Sequence, residues 1–218
     1  MPDLIRSQDD LHAMIEQFGI LPYFTCDVPG WSVEEHIDPA YWFTDRDGPW
    51  EWKGRLALKK QCIYGKFIRN KAAFISPRWF PDLANWRRDG YDWEGFVQDG
   101  HAPRKDMQLM QYIHTHPMCL SRDARKLCGI DKGYDTVITR LQMQTFVILP
   151  EFRYRISKTG QPYGWGDAVL DTPEHFLGEE TMEVPASRSP AESLERIVSH
   201  LHDALPFADA YAIRKELR

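Results

Sequence analysis

The feature that most narrows the fold is a change of hydrophobic period inside residues 106–177. Met107, Met110 and Ile113 recur at a spacing of three before His116-Pro117 interrupts the pattern. Ser121 then offers a cap for a short helix over Arg122–Cys128, and Gly129 supplies its stop. A further helix is predicted from about Asp135 to Gln142 or Gln144. Tyr134, Val137, Ile138 and Leu141 form its apolar stripe, and Thr136, Thr139, Arg140 and Met143 its open face. Thr145–Leu149 and Phe152–Ile156 follow as strands, and a turn at Ser157-Lys158-Thr159-Gly160 leads to a strand over Tyr163–Leu170. Helix, helix–turn–helix and then hairpin is the order of a winged helix.

The flanking segments read differently. Ser7 to Gly19 predicts a helix, with Leu11, Met14, Ile15 and Phe18 on one face and Asp9 and Asp10 at the positive end of its dipole. Residues 21–54 are dense in Pro, Asp, Trp and Gly. Leu56-Ala57-Leu58, Cys62–Ile68 and Ala72–Ile75 read as short strands, with Arg69-Asn70-Lys71 as a hairpin turn. Ser189-Pro190 opens a final helix whose Leu194, Ile197, Val198, Leu201 and Leu205 dock on the body. The expected class is α+β in three parts. An aromatic-rich part with short strands spans 1–105, a winged helix-turn-helix 106–177, and a connector with a C-terminal packing helix 178–218.

Charge and composition bear on partners. Residues 59–160 carry 18 basic and 10 acidic side chains, whereas both flanks are acidic. A basic centre suits a polyanion, unless the acidic ends fold over it. No apolar run approaches the ~20 residues needed to span a bilayer. No secretory signal is visible in Met1-Pro2-Asp3-Leu4-Ile5-Arg6, and four cysteines are too few for a disulfide scaffold. The expectation is a cytoplasmic protein with DNA as partner, no membrane and no cofactor.

The second helix of the helix–turn–helix could enter a major groove with Thr139 and Arg140, where Arg140 reaches guanine and Gln142 adenine. Arg153, Arg155 and Lys158 of the hairpin would then meet phosphates. Gln142-Met143-Gln144 admits two readings: a pair of carboxamides gripping a water or a base edge, or ordinary residues ending the helix, since i, i+2 side chains diverge there. A second candidate site is aromatic. Of eight tryptophans, seven lie within residues 31–93. Trp50-Glu51-Trp52-Lys53 sets a carboxylate among indoles, and Trp86-Arg87-Arg88 sets two cations beside another. Trp50, Trp52 and Trp86 could stack on an unpaired base or simply fill the core. Glu51, with Asp82 second, could activate a water, and Arg87 and Arg88 could hold backbone phosphate. His114, His116, Cys119 and Cys128 include zinc-ligand types but no Cys-x-x-Cys pair, and His200 and His202 diverge on a helix, so no metal is expected.

Ile63-Tyr64-Gly65-Lys66-Phe67, Ala72-Ala73-Phe74-Ile75, Trp79-Phe80-Pro81 and Trp86-Arg87-Arg88 resemble the middle of the AlkZ/YcaQ-like winged-helix DNA glycosylases. Ser121 to Tyr163-Gly164-Trp165 resembles their later winged helix and wing, so the resemblance covers roughly residues 60–177. It implies excision of alkylated bases or cross-link remnants on a surface of tandem winged helices. In that family a Gln-x-Gln or Gln-x-Asp catalytic motif sits in an N-terminal winged helix. The first 58 residues here carry no such motif, and Gln142 and Gln144 repeat its letters in a later module. The expected function is therefore a DNA-binding, glycosylase-related protein that recognises damaged or unpaired bases. The alternatives are a regulatory or protein-interaction winged helix and a small-molecule enzyme with a tryptophan-lined pocket.

Overall fold

Ser7 starts the first helix, α1 (Gln8–Phe18), by accepting a hydrogen bond from the Asp10 amide, and Leu11, Met14, Ile15 and Phe18 are buried beneath it. Gly19, at φ +71°, ends the helix. A Cβ at that position would press into the Trp79 indole, so both backbone and space require glycine. The structure is a computed structural model that describes residues 4–158, 160 and 162–218, with only the backbone of Pro162, Tyr163 and Trp165. The start Met1-Pro2-Asp3 and the turn residue Thr159 lie outside the described residues, as do the side chains of Tyr163 and Trp165.

Beyond β1 (Ile20–Pro22) come α2 (Val33–His36), a 3-10 turn at Pro39–Tyr41 and α3 (Pro49–Leu58). Next, β2 (Ile63–Ile68) and β3 (Lys71–Ile75) pair antiparallel across Arg69-Asn70. Both turn residues have positive φ, +47° and +61°, the twist that suits a two-residue hairpin. β1 pairs with the far edge of β3, giving the order β1-β3-β2. Two helices follow, α4 (Phe80–Arg87) and α5 (Trp93–Gln98).

The chain then runs through α6 (Arg104–Thr115), β4 (Cys119–Leu120), α7 (Ser121–Leu127), α8 (Tyr134–Met143), β5 (Phe152–Ile156) and β6 (Pro162–Leu170). These strands form a second antiparallel sheet, ordered β4-β6-β5. α9 (Pro173–Leu177), α10 (Glu179–Met182), α11 (Pro190–Ala204) and α12 (Ala210–Leu217) complete the chain. The protein is α+β, and among the described residues no helix is long and apolar enough to cross a membrane.

Apolar side chains gather into two clusters. One joins α1, the first sheet, α3 and α4 to Ile197, Val198 and Leu201 of α11 and Ile213 and Leu217 of α12. The other joins α6, α7 and α8 to Phe146, Val147 and Leu170. Leu149 packs against both.

Four local expectations need correction. Leu56-Ala57-Leu58 is the end of α3, because Pro49 stands in its first turn and the Glu51 carboxylate accepts the Gly48 amide at 3.0 Å. Thr145–Leu149 is not a strand: Thr145 has φ +66°, and Ile148 makes only an isolated bridge to Asp171. Ser121 is the first residue of α7 instead of its cap, and its hydroxyl lies 3.1 Å from that of Tyr134. The helix begun at Ser189-Pro190 has the expected capping and buried stripe, but α12 follows it.

Candidate nucleic-acid interface

The helical phase of α3 decides what its Trp-Glu-Trp-Lys sequence can do. Pro49, Trp52, Lys53 and Leu56 turn inward, Trp50 is half-buried, and Glu51 faces solvent. Trp52 donates its indole N–H to Asp47 at 3.0 Å, so it is a packed core residue and offers no stacking face. Lys53 is only 1% exposed. Its ammonium donates to the Trp50 carbonyl, and Nζ lies 3.6 Å from the Trp50 ring centre and 4.5 Å from that of Phe152. Burial pushes the Lys53 pKa down to about 7, and the nearby Glu51 charge offsets this only in part.

Lys53 lines a cavity of about 350 Å³ at the seam between the two sheets. Phe24, Trp50, Tyr64 and Phe152 give it aromatic walls, and the exposed Lys66, Asn70 and Lys71 of the β2–β3 hairpin border it. Tyr64 and Phe152 meet edge-on at 5.7 Å, which fixes the wall where β2 approaches β5. Gly65 leaves room for Phe67 and for the approach of α8: a Cβ there would stand 2.8 Å from Phe67 Cζ and 3.2 Å from Gln142 Oε1. On the other side of Trp50 lies a second cavity of about 420 Å³, bordered by Glu51, Tyr41, Phe43, Arg46 and Tyr154. Trp50 belongs to the walls of both.

The face of α8 expected to be open is largely occupied. The backbone amide of Lys66 donates to Gln142 Oε1 at 2.9 Å, while Gln142 Nε2 donates to the Ile138 carbonyl at 3.1 Å. Lys66 Nζ donates to Thr139 Oγ1 at 3.3 Å, and the Asn70 amide points at the Met143 sulfur at 3.3 Å. Gln142 is thus a buried strap between α8 and β2, with no amide edge left for a substrate. Gln144 stands apart from it, with a buried Oε1 that has no partner among the described residues. Arg140 is held by Asp106, which is 1% exposed, so its guanidinium is committed within the protein.

Arg87 and Arg88 also turn inward, which removes them as phosphate ligands. Arg87 donates to the carbonyls of Met143 and Phe67, both at 3.0 Å, and to that of Leu217, and burial lowers its pKa to about 10. Arg88 donates to the Thr145 carbonyl at 2.7 Å and its hydroxyl at 3.1 Å, and pairs with Glu174 at 2.5 Å. Trp86, beneath the Arg87 guanidinium, lines neither cavity. Asp82 is buried against Ser193, Arg188 and Arg196, and so anchors α11.

The acidic flanks do reach the basic centre. Glu216, itself 1% exposed, pairs with Arg69 at 2.7 Å, and Asp27 pairs with the same guanidinium at 3.1 Å. Arg153 is exposed and pairs with Glu151 at 2.9 Å. Arg155 and Lys158 are exposed, and neither forms an ion pair among the described residues. The exposed cations nearest the aromatic cavity are therefore Lys66 and Lys71, not those expected from the helix–turn–helix.

Sequence reasoning missed Lys53, Lys66 and Lys71 as site residues. For Lys53 a signal existed, because a lysine three and four residues from Leu56 and Pro49 falls on the buried stripe of α3. Among the described residues, no three of His, Cys, Asp or Glu converge to hold a metal, and all four cysteines are free. A family model described as "AlkZ related" matches residues 5–218, a wider span than the 60–177 of the resemblance. Neither a curated protein nor a solved structure matches the chain.

Proposed function

The chain belongs to the AlkZ-related family, and from this premise we propose that it binds DNA and receives a displaced nucleotide at the seam beside Trp50. The α6–β6 unit would act as the winged helix. Its element order, helix–strand–helix–helix–strand–strand, and its sheet order β4-β6-β5 support that reading. The wing would rest on backbone phosphates through Arg153, Arg155 and Lys158. Glycosylase-related activity is the reading the family favours, on damaged or unpaired bases.

One observation carries the proposal: an aromatic cavity of about 350 Å³ bordered by two exposed lysines of a β-hairpin. An extruded base needs stacking faces, and the phosphates beside it need cations. If a base is excised, Glu51, which borders the neighbouring cavity across Trp50, would take a proton from water. The water oxygen would bond to the anomeric carbon while the glycosidic bond breaks and its electron pair leaves with the base. Gln142 would hold α8 against β2 and thereby set the cavity wall, and the unpartnered Oε1 of Gln144 takes no part in that strap.

Binding of a fluorescent duplex containing one unpaired base tests this reading. Affinity should fall as salt rises, and Trp50→Ala should lose about tenfold in preference over the intact duplex, within the ~1–3 kcal/mol range for one base–aromatic stack. Equal affinity for the two duplexes in the wild-type protein would refute the displaced-nucleotide reading. Base release untouched by Glu51→Gln would remove Glu51 from the chemistry. A regulatory winged helix without catalysis is the second reading, favoured by the structural use of Gln142.

A further inference from the structure

Lys53 is an unusual side chain to place on the buried face of a short helix. It is 1% exposed, lies over two aromatic rings, and its hydrogen bond goes to a backbone carbonyl and not to a carboxylate. A lysine needed only for bulk would be replaced at no loss by methionine or leucine, and one needed for charge would have an acidic partner. What this setting does provide is an amine shielded from bulk water on a residue that lines a cavity of about 350 Å³.

We propose that Lys53 is an amine nucleophile for aldehydes, and that the aldehyde it takes is the ring-opened sugar of an abasic site in DNA. An uncharged amine is what attacks a carbonyl, and apolar burial near Trp50 and Phe152 favours that form at neutral pH. The identification of DNA as carrier of the aldehyde rests on the function proposed above. It is favoured by the border of the cavity, where the exposed Lys66 and Lys71 of one hairpin would meet the phosphates flanking a sugar without a base.

The step balances without a cofactor. The Nζ lone pair bonds to the aldehyde carbon, and the carbonyl electrons move to oxygen, which takes a proton. The carbinolamine then loses its hydroxyl group together with a nitrogen proton as water, leaving a carbon–nitrogen double bond. Protonation of that nitrogen acidifies the neighbouring C2′–H. Loss of this proton to water forms the C2′–C3′ double bond and breaks C3′–O, so the phosphate leaves with the electron pair. The strand would be cut 3′ to the abasic site.

Borohydride decides the question, because its hydride reduces the imine to a stable secondary amine. The full chain is incubated with a duplex carrying one abasic site and sodium borohydride, resolved on a denaturing gel, digested and mapped by mass spectrometry. Binding of the same duplex is measured in parallel without reductant. The expected result is one covalent adduct at Lys53, reduced more than about tenfold in Lys53→Met. Mapping on the wild-type protein keeps the result independent of whether the variant folds. Binding with no adduct, or with the adduct on Lys66 or Lys71, overturns the assignment of Lys53 and leaves the DNA reading intact. Absence of binding overturns the DNA reading and this substrate. Propanal with borohydride then reads the amine alone: labelling of Lys53 ahead of the exposed lysines supports the nucleophile, and labelling confined to exposed lysines overturns it.

Discussion

Replacing Lys53 by methionine should stabilise the protein at neutral pH and abolish a specific pH dependence. Lys53 titrates at about 7 in the folded chain, against an ordinary lysine value of 10.5. Between those values the unfolded chain holds one more proton, so raising the pH favours the folded wild-type protein. At 1.36 kcal/mol per pKa unit, the burden on the folded state at pH 7 is about 4 kcal/mol. Methionine removes that burden but loses the hydrogen bond to the Trp50 carbonyl, worth about 1 kcal/mol. A net gain of about 3 kcal/mol at pH 7 follows, shrinking by about 1.4 kcal/mol per pH unit towards pH 9.5. The charged and titratable groups around the amine are Glu51 on its own helix, Tyr64 and Lys66 on β2, and Lys71 on β3. Cys26 and Cys119, both raised to about 11 by burial, also make stability pH-dependent, but equally in both proteins. The difference between wild-type and Lys53→Met urea midpoints at pH 6.5, 7.5, 8.5 and 9.5 therefore isolates one titration. A gap constant across that range would refute the reasoning, since it would mean that the buried amine keeps its proton throughout.

Three further outcomes are expected. Gly19→Ala forces a left-handed backbone on an L residue, costing about 1–2 kcal/mol, and displaces the Trp79 indole, so chemical denaturation should show a loss at or above that range. Arg140→Met leaves the Asp106 carboxylate buried without its partner, a loss of about 3–5 kcal/mol in paired urea melts at pH 7, and an unchanged midpoint would remove the pair from the stability of the fold. Arg155→Ala and Lys158→Ala should each flatten the log–log salt dependence of duplex binding by about 0.9, read by fluorescence anisotropy, and unchanged slopes would take the wing off the DNA.

What was readable in the sequence divides along physical lines. α1, the β2–β3 hairpin, α8 and α11 were legible because each carries a complete local code: a cap, a period and a stop, or a two-residue turn with its flanking strands. Leu56-Ala57-Leu58 misled because three apolar residues fit either element, and the capping of α3 lies far upstream, at Gly48. The fate of the cations was not legible at all. Arg87, Arg88 and Arg140 look alike on paper to Arg155, but each is held by an acceptor distant in sequence: Leu217, Glu174 and Asp106. Gln142 belongs with them, since its partner amide is 76 residues away. Local pattern encodes which face is apolar, but it does not encode what a polar face will meet.

The return of the last two helices to the first core has a consequence for synthesis. Ile213 and Leu217 complete a cluster that begins at Ile5, and Glu216 and the Leu217 carbonyl clasp arginines near the middle of the chain. A ribosome that has delivered the tryptophan-rich segment still has more than half of the polypeptide to make before that cluster can close. Until then the Trp79 indole is without the His200 ring that stacks on it and the cluster around it stays open, which makes the growing chain a natural client for holding chaperones. Losing the final helix should therefore harm yield in the cell well before it touches any chemistry at the seam.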